Sequence, residues 1–232
     1  MHRTTWLLLS VLGTMLLAEA SLAREPRSRR RSAETTAERV ELFAGLQDGR
    51  LQARFVAADA EQARLTIVNV ADAPLTVELP ATFAGVPTST RSSGESPQIL
   101  GSVIQPTSQG RLTSIDLLPG RRQELPVVCV CLEYGKPTPR PRDAFTIASV
   151  ESVSEHAEVR TLLEELAEGR VDQTAAQLAA WYFNNGLSGE QLAATGFAPE
   201  RMVDAARLVE HVRAATAERQ SAERRKAASE AE

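Results

Sequence analysis

Residues 124–132 read Glu124-Leu125-Pro126-Val127-Val128-Cys129-Val130-Cys131-Leu132. Successive side chains of a strand point to opposite faces. Leu125, Val127, Cys129 and Cys131 therefore share one face, and Val128, Val130 and Leu132 share the other. Apolar residues on both faces describe a central strand with a packed layer on each side. The sequence to either side of this run supplies two such layers.

Upstream the pattern is mostly of period two. Residues 51–57 alternate with Leu51, Ala53, Phe55 and Ala57 on one side, and 63–70 alternate likewise. Ala71-Asp72-Ala73-Pro74 is turn chemistry, so 63–70 and 75–79 read as a hairpin. Residues 86–97 read as a loop. Residues 99–104, 112–117 and 145–150 are further short strands, with a turn at Leu118-Pro119-Gly120. Short strands separated by turns predict an antiparallel β-sandwich, of immunoglobulin-like type in preference to a barrel. One helix precedes it over residues 34–47, with Val40, Phe43 and Ala44 on one face and Asp48-Gly49 at its end.

Downstream the period becomes helical. Ser152 with Glu155 fits a capping box, and Val159, Leu162, Leu163 and Leu166 form a stripe closed by Gly169. Asp172 caps a second helix carrying Ala175, Leu178, Ala179 and Tyr182, with Trp181 beside that face. Ser188 with Gln191 caps a third, and Pro199 opens a fourth that runs to about residue 219. The fold class is thus α+β, with the N-terminal helix and the sandwich in residues 34–150 and a small bundle of about four helices in residues 151–219. Residues 220–232 form a charged tail. Trp181 and Phe183 point in different directions, which predicts helices docked on the sheet rather than a separate bundle.

The amino terminus predicts export. His2 and Arg3 precede an apolar run over residues 6–17, and Ala18-Glu19-Ala20 and Ser21-Leu22-Ala23 both fit small-x-small cleavage. Residues 1–23 read as a signal peptide, cleaved after Ala20 or Ala23, for a secreted or periplasmic protein. Glu19 and Arg24 close the run short of the roughly 20 apolar residues of a spanning helix, so no stable membrane anchor is expected after processing. Residues 24–33, rich in arginine, read as a disordered basic spacer. The formal net charge of −4 gives no overall field for nucleic acid, and aromatic side chains, 4% of residues, supply few stacking platforms.

Cys129 and Cys131 are the only cysteines, and the most suggestive chemical feature. Two nearby thiols outside the cytoplasm suit a soft metal such as Cu(I), or disulfide exchange. Further ligands are scarce, since His156 and His211 are the only histidines past the signal and both fall on predicted helices. On one face of a buried strand, the thiols read as core residues. There is no Gly-x-Ser-x-Gly elbow and no glycine-rich phosphate loop. Asp143, Glu164 and Glu165 are the best carboxylates, but Glu164 and Glu165 are adjacent on a helix and point apart. No catalytic, cofactor-binding or metal-binding residue is therefore assigned, and no cofactor is expected.

Three stretches carry a family resemblance: residues 40–55, opening Val40-Glu41-Leu42-Phe43-Ala44-Gly45; residues 69–87, with Leu79-Pro80-Ala81-Thr82-Phe83; and Cys131-Leu132-Glu133-Tyr134-Gly135-Lys136-Pro137, with residues 177–188 behind it. Together these resemble a family of uncharacterised exported bacterial proteins. The resemblance implies a secreted sandwich with a helical tail and assigns no activity. Its usual Cys-Leu-Glu-His-Gly-Lys pattern has Tyr134 in place of the histidine here, which removes a Cys/His metal site from this turn. The functional expectation is a non-enzymatic exported protein that binds another exported protein or an envelope component. The alternatives are thiol or copper handling by Cys129 and Cys131, and then a hydrolase with an unrecognised site.

Overall fold

The computed structural model describes residues 37–230. The expected signal peptide, the basic spacer and the start of the expected first helix lie outside them. In chain order the first elements are β1 (Glu38–Glu41), α1 (Leu42–Gln47), β2 (Leu51–Ala57), β3 (Gln62–Asn69), β4 (Leu75–Glu78) and β5 (Phe83–Pro87). They are followed by β6 (Leu100–Ile104), β7 (Ser114–Leu117), β8 (Arg122–Cys131) and β9 (Phe145–Ala148). A 3-10 turn over Val150–Ser152 leads to α2 (Ala157–Ala167), α3 (Gln173–Asn185), α4 (Gly189–Ala193) and α5 (Pro199–Glu230).

The fold is α+β, but the immunoglobulin-like sandwich is not what forms. Six strands close a barrel in the order β2-β3-β8-β6-β5-β9, each neighbouring pair antiparallel. A separate three-stranded sheet holds β4 between β1, parallel to it, and β7, antiparallel.

Two local features account for the correction. The first is β5, whose Gly85 and Pro87 are residue types depleted in strands, yet which bridges β6 and β9. Its neighbour β9 then reaches β2 through the single pair Phe55 and Phe145. Aromatic rings pack this seam, with Phe55 centred 6.2 Å from Phe83 and 5.7 Å from Phe145. The second is Asn69. Residues 63–70 and 75–79 do not make a hairpin, because after Asn69 the chain leaves the barrel for the other sheet. The buried Asn69 amide fixes that corner by donating to the carbonyls of Ala73 and Leu117, both at 2.9 Å, and accepting from the Ala71 N–H.

The amino-terminal helix is also shorter than its periodicity predicts. Residues 38–41 pair with β4 and bury Val40, leaving six residues for α1. The capping box at Ser152 does not form either, and α2 begins after His156. The caps at Asp172 and at Ser188 with Gln191 are present as expected.

β8 has the two-sided environment its sequence predicts. Leu125, Val127, Cys129 and Cys131 enter the barrel core with Leu65, Ile67 and Leu100. Val130 and Leu132 lie in a second core with Val103 of β6, Val159, Leu162 and Leu163 of α2, and Ala176 and Ala180 of α3. Gly101 of β6 lets α2 approach, since a Cβ there would lie 3.0 Å from a Leu163 methyl. The helices are thus docked on the barrel, and Trp181 contacts both the barrel core and the small cluster around Leu178 and Leu192. No described helix is long and apolar enough to cross a membrane.

Candidate functional site

Helices cover β6 and the carboxyl-terminal half of β8, leaving the outward face of β2, β3 and the first half of β8 to solvent. Register aligns this open face in three rungs: Gln52, Val68 and Arg122; Arg54, Thr66 and Glu124; Val56, Arg64 and Pro126. Three of these nine side chains are arginine and one is acidic. Arg64 donates to Glu124 at 3.3 Å, while Arg54 and Arg122 are exposed and make no hydrogen bond or ion pair with any described residue. Arg54, Arg64 and Glu124 line an open groove of about 590 Å³ that also touches Val56, Thr66 and Pro141. Pro126 is tolerated because its missing N–H faces an edge where β6 has already ended; only the Gln105 N–H reaches its carbonyl there.

Sequence reasoning did not single out these arginines. Each was legible as an outward position of an alternating strand. Their assembly depends on long-range pairings such as Val68 with Arg122, which no local pattern encodes.

The thiols occupy a different environment. Cys129 and Cys131 are free and buried inside the barrel. Cys129 Sγ lies 3.5 Å from Ser102 Oγ, and Cys131 Sγ is 3.9 Å from the Ala60 carbonyl oxygen. Burial pushes both thiols up to about 12, which keeps them protonated at neutral pH. Among the described residues, no group of three or more His, Cys, Asp or Glu side chains could hold a metal ion. The barrel brings no third ligand of that kind to the pair.

The other singled-out residues serve packing and loop anchoring. Asp143 takes a forked hydrogen bond from Arg91, with Nη2 to Oδ2 at 2.6 Å and Nε to Oδ1 at 3.3 Å. Arg91 also donates to the Thr138 carbonyl, which ties residues 88–97 to 137–143. Glu165 is buried rather than on a solvated face. It accepts from Arg170 at 2.8 Å through both oxygens, with His211 Nε2 at 3.6 Å. Glu164 pairs with Arg219, and His156 stands at the start of α2. The structure does not bring His156, His211 and the thiols into one site.

A second surface feature is an apolar groove of about 460 Å³ among α3, α4 and α5, floored by Leu178, Leu192 and Val209 with the half-exposed Val203 at its lip. No protein-family model, curated protein or solved structure matches this chain.

Proposed function

We propose that this is a non-enzymatic exported protein that binds an anionic component of the cell envelope through the outward face of β2, β3 and β8. The observation that carries the reading is a pair of arginines, Arg54 and Arg122, that pair with none of the described residues and share one strand face with Arg64, in a chain of net charge −4. Solvent-exposed like charges repel, so a face whose three arginines share the single carboxylate of Glu124 carries excess positive charge that favours an anionic ligand. The signal-like residues 1–23 support placement outside the cytoplasm.

Co-sedimentation of the mature chain with isolated envelopes tests this. Binding at about 50 mM salt and release at about 500 mM is expected, because exposed charges are screened within a few ångströms at the higher value. Charge reversal at Arg54 and Arg122 should leave the protein in the supernatant. Wild-type protein that stays soluble at low salt would overturn the proposal.

A further inference from the structure

We infer that Asn185-Gly186 is a conditional deamidation site, closed while the helices are docked on the barrel and opened when the end of α3 lifts away. The inference does not depend on the envelope-binding reading. An asparagine followed by glycine is prone to lose its amide, because no side chain hinders the approach of the next main-chain nitrogen. Of Asn69, Asn184 and Asn185, the asparagines of the chain, only Asn185 precedes a glycine. In the reaction the Gly186 nitrogen gives its proton to solvent and bonds to Asn185 Cγ. The bond from Cγ to Nδ2 breaks, and Nδ2 takes up a proton and leaves as ammonia. One water then opens the cyclic imide at either carbonyl, which leaves aspartate or isoaspartate at position 185. Nothing is oxidised or reduced.

Local contacts keep this reaction from starting in the folded protein. Asn185 is the last residue of α3, and Gly186 caps it with a left-handed φ of 65°. The imide ring closes at a ψ of about −120°, whereas a helical residue holds about −40°. Turning Asn185 that far would pull the Gly186 N–H off the Tyr182 carbonyl, 3.1 Å away. It would also pull Asn185 Oδ1 off the Tyr134 N–H, at 3.1 Å. One position earlier, Asn184 Nδ2 donates to the Leu132 carbonyl at 2.6 Å, and its Oδ1 accepts from Ser154 Oγ at 2.6 Å. The end of α3 is thus pinned to the turn after β8 and to the segment before α2. Asn185 itself is exposed, so the water that opens the imide has access once the pins release. Isoaspartate would route the main chain through the former side chain and lengthen it by one carbon, and the cap could not re-form. A detachment that is brief and reversible in a fresh molecule becomes permanent in a converted one.

Peptide mapping by mass spectrometry, with fragmentation that separates aspartate from isoaspartate, tests this on the mature chain at mildly alkaline pH. Asn185 should convert at least about tenfold more slowly in native buffer than in urea above the unfolding midpoint, since conversion waits for opening. Asn69, followed by the branched Val70, should keep its amide in both. Tyr134→Pro removes the N–H that holds Asn185, and Asn184→Ala removes the anchor beside it. Either should speed conversion several-fold in native buffer and leave the rate in urea unchanged. A cooperative melting transition certifies that each variant is folded. Equal rates for wild type in native buffer and in urea would overturn the lock. No conversion of Asn185 in urea would overturn the site. Folded Tyr134→Pro and Asn184→Ala variants that both convert at the wild-type native rate would overturn the assignment of the lock to this joint.

Discussion

Gln177 of α3 takes the place of a missing strand beside Cys131 of β8. Its Oε1 accepts from the Cys131 N–H at 2.7 Å, and its Nε2 donates to the Cys131 carbonyl at 2.9 Å. β3 has run out by then, its last pair being Gln62 with Val128. Gln173 Nε2, one helical turn earlier, bridges the carbonyls of Cys129 and Glu61 at 2.8 and 2.7 Å. Asn184 and Asn185 continue along the helix to the Leu132 carbonyl and the Tyr134 N–H. An unpaired strand edge is costly to bury and open to foreign strands; here a helix face of amides closes it.

Replacing Gln177 with leucine keeps the volume but strands a buried N–H and a carbonyl. The expected cost is about 2–6 kcal/mol, from one to three for each unsatisfied group. Urea unfolding would measure it. The same amides tie the helical layer to the barrel, so Trp181 fluorescence and far-UV signal should report one coincident transition. Two separated transitions would show that the layers fold independently.

The barrel seam makes its own prediction. A Cβ at Gly85 would lie 2.7 Å from the Phe55 ring, and that ring also closes β2 against β9. G85A should destabilise by about 1–3 kcal/mol, the usual cost of overpacking. G189A is the matched control: α4 has open space around that position, so alanine should be neutral or stabilise by up to about 1 kcal/mol through helix propensity. Similar losses in both variants would contradict this account of the seam.

What was legible in the sequence follows from how local each signal is. The two faces of β8 were readable because alternation is carried by adjacent residues, and the caps at Asp172 and Ser188 because each spans three positions. Barrel closure was not readable. It depends on one distant pair, Phe55 with Phe145, and on a strand whose Gly85 and Pro87 look like loop chemistry. The length of α5 was missed for another reason. Burial ends at Thr216, so no apolar period marks the helix beyond it, and residues 217–230 continue on the high propensity of alanine, glutamate, arginine and lysine.

Acid should loosen the loop held by Arg91 and Asp143. The hydrogen bonds from Arg91 hold the Asp143 carboxyl below the usual aspartate range, helped by the Arg140 N–H. A depressed acid stabilises the fold above its unfolded value, about 3.9, and loses that contribution as pH falls through the lower folded value. The difference in melting temperature between wild type and D143N should therefore be largest near neutral pH and shrink below about pH 4. A difference independent of pH would mean that the carboxylate charge is not what holds the loop.

The thiols predict the opposite behaviour at high pH. Burial raises Cys129 and Cys131 to about 12, against about 8.5 for an unfolded cysteine. Below the unfolded value both states keep their protons, and stability is complete. Between about 8.5 and 12 the unfolded chain releases two protons that the folded chain retains, so stability falls by up to about 1.4 kcal/mol per pH unit for each thiol. Tyrosine and lysine titrate in the same range, so the informative quantity is the urea midpoint of wild type minus that of C129A/C131A. That difference should decline steadily as pH rises from about 8.5 to about 11. C131S should cost about 1–3 kcal/mol at neutral pH, by placing a hydroxyl where the thiol has only the distant Ala60 carbonyl. In native protein near neutral pH both thiols should react slowly with a thiol reagent, and readily once urea opens the barrel. Rapid labelling of both, or stoichiometric copper in purified protein, would instead favour thiol or metal handling: it would require the barrel to open at β8, where Gln173 and Gln177 now hold its edge closed.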